Sequence, residues 1–409
     1  MKTKLPALIA TAWAGLLSPG DQGAAQTWVP TSAPVTNWTS VACSADGSKM
    51  LAAVGGGSLY TSTNFGGTWT PASAPVAAWQ GVATSADGKK MVAVSNPGFI
   101  YTSSDSGNSW TPSPAPKDYW SSVGSSGDGT RLVVGTYGTG GPPAISGRLF
   151  TSTNSGASWQ IVSNQPGPFN GVAASADGST FAALGFFPGP GVFGASDCLS
   201  SNWGEQIAHI YPQAIEPWTA VACSASGVRI VAGAYSDAIC ASMDAGVTWS
   251  RLLRLLCSSI AVSADGQKIA VVEGPTLAAP GLTGAVYTST DSGNTWVSNS
   301  APVTNWSCIA SSADGCRLVA TVEGGGIYML QSTPAPVLNF SAPGPNMLLS
   351  WIVPSQPFVL QASADLNSAK WTDVTNVPVL NLTNLQSQLA LPLPGSNSFY
   401  RLKSSVNGS

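Results

Sequence analysis

Short stretches in which apolar and polar residues alternate recur along most of the chain, separated by turns rich in Gly, Ser, Asp and Asn. In the first of them, a strand-like stretch at residues 38–43 is followed by a Ser-Ala-Asp-Gly turn at 44–47 and a second apolar stretch at 50–54. Alternation with a period of two is typical of β-strands that bury one face. We therefore predict an all-β protein whose antiparallel strands follow one another through tight turns.

These strands belong to a repeat of about 40 to 50 residues, a length typical of propeller blades. Its first strands open, in order, at Trp38, Trp79, Trp120, Phe169, Trp218, Cys257 and Trp306. A second motif precedes the last strand of the repeat and reads STNFGGTW at 62–69, SSDSGNSW at 103–110 and STDSGNTW at 289–296. Weaker copies end at Trp159 and Trp249, and a distorted copy ends at Trp203. Four strands per repeat and seven openings predict a seven-bladed β-propeller.

The two ends of the repeat array predict how the ring closes. The last repeat has three strands, and residues 27–34 (TWVPTSAP) match the fourth-strand text at 68–75 (TWTPASAP). We therefore expect the N-terminal strand to complete the last blade, which removes an exposed sheet edge. The predicted domains are a signal peptide at 1–25, the propeller at 26–332 and a small C-terminal β-sandwich at 333–409. The last of these loosely resembles fibronectin-like modules.

Composition narrows the possible partners. A basic start, an apolar run at 5–17 and small residues before Gln26 predict a secretory signal, hence a secreted or cell-surface protein. No later stretch is apolar enough to predict a membrane span. With 9% charged residues and a net charge of −3, a nucleic-acid partner is not expected. Seven cysteines without a C-x-x-C pair and a single histidine, His209, predict no metal site and no cofactor. Buried packing is favoured over disulfides for most cysteines, and a monomer is expected.

The motif before the last strand resembles the Asp-box (BNR) repeat of propeller families that include sialidases, xyloglucan-cleaving hydrolases, sortilin-type receptors and a photosystem II assembly factor. In such a turn the Asp or Asn side chain caps backbone N–H groups, Gly takes a positive φ, and the Trp buries its ring. The resemblance therefore implies a fold rather than an activity. We assign the same structural role to the acids of the first-to-second-strand turns, namely Asp46, Asp87, Asp128, Asp177, Asp265 and Asp314.

Topology predicts where a ligand would bind. Both repeated turns belong to one face of the propeller, here called the turn face. The second-to-third-strand loops and the linkers between blades belong to the other, the linker face, which carries the sequence variation. We predict a glycan or an extracellular protein as the ligand there. The candidate ligand-binding residues are Asp118, Tyr119, Tyr137, Tyr211, Glu216 and Asp237.

The alternative function is glycoside hydrolysis, with Glu273 and Glu323 of adjacent blades as the paired acids. Sialidase chemistry would need three converging arginines. Arg131, Arg229 and Arg317 instead share one repeat position, and we predict that they lie on strand surfaces. The non-catalytic binding propeller is the preferred hypothesis.

Overall fold

The structure is a computed structural model. It describes residues 27–138, 147–163, 168–189, 192–203, 218–234, 238–274, 284–299, 301–366, 370–394 and 397–405, with side chains left out at 163 and 186–198. Every regular element in these ranges is a β-strand, which confirms the predicted all-β class. The described residues include no helix that is long and apolar enough to cross a membrane.

The strands of the repeat region are consecutive in sequence. The chain begins with β1 (Val29–Pro30). The first two repeats contain β2 (Thr36–Cys43), β3 (Met50–Gly57), β4 (Leu59–Ser62), β5 (Thr70–Pro71), β6 (Ala77–Thr84), β7 (Met91–Ser95), β8 (Ile100–Ser103) and β9 (Thr111–Pro112). The next two contain β10 (Trp120–Ser125), β11 (Leu132–Thr136), β12 (Leu149–Ser152), β13 (Gln160–Ser163), β14 (Gly171–Ala174), β15 (Phe181–Gly189) and β16 (Val192–Ser200). The last three contain β17 (Trp218–Cys223), β18 (Ile230–Ala234), β19 (Ala238–Ser242), β20 (Ser250–Leu253), β21 (Ser259–Val262), β22 (Ile269–Val272), β23 (Val286–Ser289), β24 (Val297–Ser298), β25 (Trp306–Ser311), β26 (Arg317–Gly325) and β27 (Ile327–Gln331).

Within each repeat, successive strands pair in an antiparallel meander, as in the sheet β10-β11-β12-β13. The N-terminal strand β1 pairs with β27, so that Val29 faces Met329 and Pro30 faces Tyr328. Trp28 is buried against Trp306, with ring centroids 5.7 Å apart. This is the closing pair that the sequence predicts, and it joins the two ends of the repeat array.

A closed ring of backbone hydrogen bonds connects the repeats on the turn face. The residue after the Ser of each first-to-second-strand turn donates its N–H to the carbonyl of the equivalent residue in the next repeat. In order, the residues are Ala45, Ala86, Gly127, Ala176, Ala225, Ala264 and Ala313, and Ala313 donates back to Ala45. The seven N···O distances lie between 2.7 and 2.9 Å. The first strands are therefore held around one axis by a circuit with no free end.

The tryptophans that open the first strands are the main anchors of the core. Trp38, Trp79, Trp120, Trp218 and Trp306 are fully buried, and Phe169 occupies the same position in the fourth repeat. Each of the five tryptophans lies at a register shift in the pairing of the first and second strands, as between Trp38 and Ser40. The tryptophans of the second motif differ among themselves: Trp69 and Trp203 are buried, whereas Trp110, Trp159, Trp249 and Trp296 are only half-buried. The expectation that all of these rings are buried is therefore corrected.

Beyond the repeats, two antiparallel sheets share one hydrophobic cluster. The first contains β28 (Asn339–Ser341), β29 (Asn346–Ile352), β32 (Val379–Asn381) and β33 (Gln386–Pro392), and the second contains β30 (Phe358–Ser363), β31 (Thr372–Asp373) and β34 (Phe399–Ser404). Met347, Leu349, Trp351, Leu360 and Leu389 form the buried centre of the cluster. Residues of this C-terminal module, including Val353, Leu380, Leu382 and Leu385, also pack against alanines of the turn-face ring.

The two kinds of tryptophan should contribute differently to stability. We expect Trp79→Ala to lower the free energy of unfolding by about 3–5 kcal/mol, because it empties a fully buried site. We expect a smaller loss for Trp296→Ala, because solvent already reaches part of that ring. Urea unfolding followed by circular dichroism measures both. Equal losses in the two variants would contradict this assignment of the anchors.

Candidate binding channel

A channel follows the axis of the ring, and the first strand of every repeat contributes to its wall. It consists of an outer cavity of about 410 Å³, a middle cavity of about 300 Å³ and an inner cavity of about 140 Å³. Neighbouring cavities share wall residues: Val82 borders the outer and middle ones, and Cys43 borders the middle and inner ones. The outer cavity lies at the linker face, and the inner one lies at the ring of turn residues.

Most polar groups in the outer wall are engaged in joining the repeats. In five repeats, the residue after the opening Trp or its equivalent donates a side-chain hydrogen bond to the carbonyl of the opening residue in the next repeat. The bonds are Thr39 Oγ1 to Trp79 O (3.0 Å), Ser121 Oγ to Phe169 O, Asn170 Nδ2 to Trp218 O (3.0 Å), Thr219 Oγ1 to Cys257 O (2.8 Å) and Ser258 Oγ to Trp306 O (3.1 Å). One position further on, Ser40, Ser122 and Ser259 accept backbone N–H groups of the following repeat at 3.2 Å. These hydroxyls and amides therefore connect neighbouring repeats around the channel.

Three of the predicted site residues lie at or near the channel mouth. Glu323 and Tyr137 line the outer cavity, and Glu323 Oε2 accepts a hydrogen bond from Asn305 Nδ2 at 3.0 Å. Tyr119 is 42% exposed, and its carbonyl accepts the backbone N–H of Tyr137 at 2.9 Å. The mouth therefore combines one carboxylate with a tyrosine beside a second, exposed tyrosine.

Asp118, one of the predicted ligand-binding residues, lies in a buried environment. It is 4% exposed, and its Oδ2 lies 2.5 Å from Nη2 of Arg148. The backbone of Asp118 also pairs with Gly98 of the preceding hairpin. This carboxylate is therefore engaged within the protein, where it holds the linker against the hairpin.

The predicted acid pair is not brought together in the cavity. Glu273 is half-buried, its Oε2 accepts the backbone N–H of Ala285 at 3.4 Å, and it is not part of the described cavity wall. Glu323 is the acid that faces the cavity. The remaining predicted site residues, Tyr211, Glu216 and Asp237, lie outside the described residues, as does His209.

Two cysteines line the deeper channel. The sequence predicts buried packing for most cysteines and does not predict this position. Cys43 and Cys223 border both the middle and the inner cavity. Burial within the narrow wall, followed by the charge of Asp46, raises the pKa of Cys43 to about 12. Burial likewise raises the pKa of Cys223 to about 12. Both thiols stay protonated at neutral pH, so they are poor nucleophiles and poor metal ligands.

The arginines at the shared repeat position do not converge, as the sequence predicts. Arg131 donates to the carbonyl of Gly178 in the next turn at 2.7 Å. Arg229 donates to the carbonyl of Gly266 in the same way. Arg317 lies over the ring of Phe65, 4.1 Å from its centroid. Each one joins neighbouring repeats on the turn face, so together they form no carboxylate clamp.

The acids of the turns before the last strand act locally. Asp105 Oδ1 accepts the backbone N–H of Ser109 at 2.9 Å, and its Oδ2 accepts the hydroxyl of Ser109 at 2.5 Å. These bonds lower the pKa of Asp105 to about 2. The equivalent hydroxyl and backbone bonds from Thr248 and Thr295 lower the pKa of Asp244 and Asp291. In the first repeat Asn64 makes the same backbone bond, from Thr68 N at 2.9 Å, without a charge.

Comparisons with known proteins agree with this geometry. The chain is similar to a solved structure described as YCF48 bound to D1 peptide, with a TM-score of 0.56 and 15% identity, over 80% of this chain and 100% of that one. It is also similar to YCF48 from Cyanidioschyzon merolae, with a TM-score of 0.54 and 15% identity, over 75% of this chain and 98% of that one. No protein-family model matches the chain, and no curated protein matches its sequence. The likeness shows the fold: the chain is a β-propeller.

The turn carboxylates should make stability depend on acid pH. Their pKa values are lower in the folded protein than the ordinary value of 3.8. The stability that these carboxylates contribute is therefore fully present above that value and is lost as the pH falls through the lowered pKa values. The triple variant Asp105→Asn, Asp244→Asn and Asp291→Asn should unfold like the parent near neutral pH, because Asn64 shows that the amide fits the turn. Thermal unfolding between pH 7 and about 2 should fall less steeply for this variant. A parallel decline in both proteins would contradict the role of these carboxylates.

Proposed function

We propose that this protein is a non-catalytic binding propeller whose linker-face mouth binds a segment of a protein partner. A similar propeller of known structure is described as bound to a peptide. The outer cavity is large enough for an extended backbone. Its described wall consists mostly of hydroxyl, amide and apolar groups and includes one carboxylate, that of Glu323. These features suit an extended polypeptide, whose own polar groups are mostly uncharged amides.

The observation that carries the proposal is the isolation of Glu323 in the described wall of the channel. Hydrolysis of a glycosidic bond generally uses two carboxyl groups on opposite sides of the scissile bond, about 5 to 10 Å apart. Of the other predicted acids in the described part of the chain, Glu273 is bonded to its own hairpin and Asp118 is paired with Arg148. This arrangement favours binding over the hydrolase alternative.

A glycan is the second candidate ligand. The exposed ring of Tyr119 and the neighbouring Tyr137 favour it, because sugar rings stack on aromatic side chains beside a hydroxylated surface.

Several assignments of fold and location belong to the proposed function as well. They are seven blades of Asp-box type, a two-sheet sandwich at 333–409, removal of residues 1–25 during secretion to the outside of the cell or to its surface, and a monomeric state. The seven turns of the backbone ring support the blade count.

The test compares ligand classes on one preparation of residues 26–409. We expect the protein to bind to peptides on an array. We expect no product to be released when the protein is incubated with polysaccharides. We expect Glu323→Gln to weaken peptide binding by about 1 kcal/mol or more, as for one charge-assisted contact, and Glu273→Gln to leave it unchanged. Interferometry measures the affinities. Hydrolysis of a polysaccharide that Glu323→Gln abolishes would overturn the proposal, and retention on glycans alone would favour the second candidate.

A further inference from the structure

The C-terminal module contacts the turn-face end of the channel. Its β32–β33 hairpin brings Leu380, Leu382 and Leu385 against the alanines of the backbone ring, and Leu385 borders the inner cavity. Leu385 has a φ of +55°, and its carbonyl accepts the N–H of Val353 at 3.0 Å. The tip of the hairpin is therefore held in place by a second segment of the module.

The ring has a notch at the point where the hairpin meets it. Six ring positions are alanine, and the seventh is Gly127. A Cβ atom at Gly127 would lie 1.9 Å from the carbonyl oxygen of Leu382, much closer than atoms can approach. Gly127 has an ordinary negative φ, so backbone conformation does not require glycine there. The missing side chain makes room for the backbone of the module.

Polar contacts fix the module beside the notch. Asp314 uses one oxygen to cap its own turn, and its Oδ2 accepts the backbone N–H and the hydroxyl of Ser355 at 2.7 and 2.9 Å. Gln331 Nε2 also donates to the Ser355 hydroxyl, at 3.1 Å. Ser355 itself is 1% exposed. The apolar hairpin and this buried polar contact together hold the module against the turn face.

We propose that the channel is a blind pocket, closed at the turn face by the C-terminal module and entered from the linker face, and that it takes an ammonium group of a polypeptide. Glu323 is the charged side chain in the described walls of the three cavities. An ammonium group therefore gains most beside Glu323, whereas deeper in the neutral pocket it would lose hydration without a partner. The ligand class rests on the proposed function, whereas the closed end does not depend on it.

The closed end is tested in the full mature chain with Cys43 and Cys223 as reporters. We expect a bulky maleimide to label both thiols slowly in the parent. Gly127→Ala should displace the module. Leu385→Gly should remove the module side chain that borders the inner cavity, and glycine readily adopts the positive φ of this position. The reagent should then also reach both thiols from the turn face, and we expect labelling to be about tenfold faster.

Matched controls separate opening of the pocket from general loosening. Gly326→Ala adds a methyl group where no atom lies within 4 Å, and Leu393→Gly removes an exposed leucine of the same module. Neither should change the labelling of Cys43 or Cys223, which peptide mass spectrometry measures. Limited proteolysis at residues 333–336 shows whether the module has moved. Unchanged labelling in Gly127→Ala despite a displaced module would overturn the closed end.

The charge preference is tested with Cys308, which borders the outer cavity. A cationic trimethylammonium methanethiosulfonate and its anionic sulfonate counterpart transfer their thiol halves to the same sulfur. We expect the cationic reagent to react faster by about fivefold or more, and Glu323→Gln to bring the ratio near one at low salt. Glu273→Gln should keep the preference. If Glu323→Gln left the ratio of the two reaction rates unchanged, the proposed charge preference would be overturned.

Protection experiments identify the source of the ammonium. An uncharged peptide with a free N-terminus and an N-acetylated peptide with one lysine are each added before the cationic reagent. Slower labelling of Cys308 by the first alone identifies an α-amine, and slower labelling by the second alone identifies a lysine side chain. Protection by neither peptide, with a closed end and a charge preference both measured, would reject the peptide ligand of the proposed function and leave the blind pocket standing.

Discussion

The circuit of seven backbone hydrogen bonds between the turn residues is the constraint on which the rest of the structure depends. Each bond joins neighbouring repeats near the axis, where the strands are closest, and the bond from Ala313 to Ala45 returns the circuit to its start. Such a circuit forms only when the last repeat reaches the first. The pairing of β1 with β27 completes the same closure at the outer edge of the last sheet. Closure leaves no open end at which another chain could add a strand.

A chain with so few charges must join its repeats by other means. Hydroxyl and amide side chains such as Thr39 and Asn170 bridge neighbouring repeats, and they satisfy backbone carbonyls that would otherwise be buried without a partner. Fully buried tryptophans fill the space behind them. The sequence therefore uses Ser, Thr and Trp at fixed repeat positions for cohesion. The polar wall of the channel is in large part a consequence of that cohesion.

The features that repeat could be predicted from the sequence, and the features that occur once could not. The turn caps of Asp105 and Asp291 and the pairing of β1 with β27 follow from local pattern and from similarity between copies. The ion pair of Asp118 with Arg148 joins residues 30 positions apart. The loop between them differs in length from the loops of the other copies, so the repeat pattern does not predict the pair. Of the two predicted acids, Glu323 lies in the described wall of the outer cavity and Glu273 does not. Sequence topology identifies their shared face but not which of them lines the cavity.

One residue illustrates how a departure from a repeat can carry structural information. Gly127 replaces the alanine of the other turns, and within the propeller alone the exchange has no evident purpose, because its φ is ordinary. Its reason lies in the module more than 200 residues later in the chain, whose Leu382 carbonyl occupies the space of the missing methyl group. The turn face is thus taken up by the ring, by the arginines that join its turns and by the docked module. The linker face is the face left for the mouth of the proposed blind pocket, which is where we propose that the ligand binds.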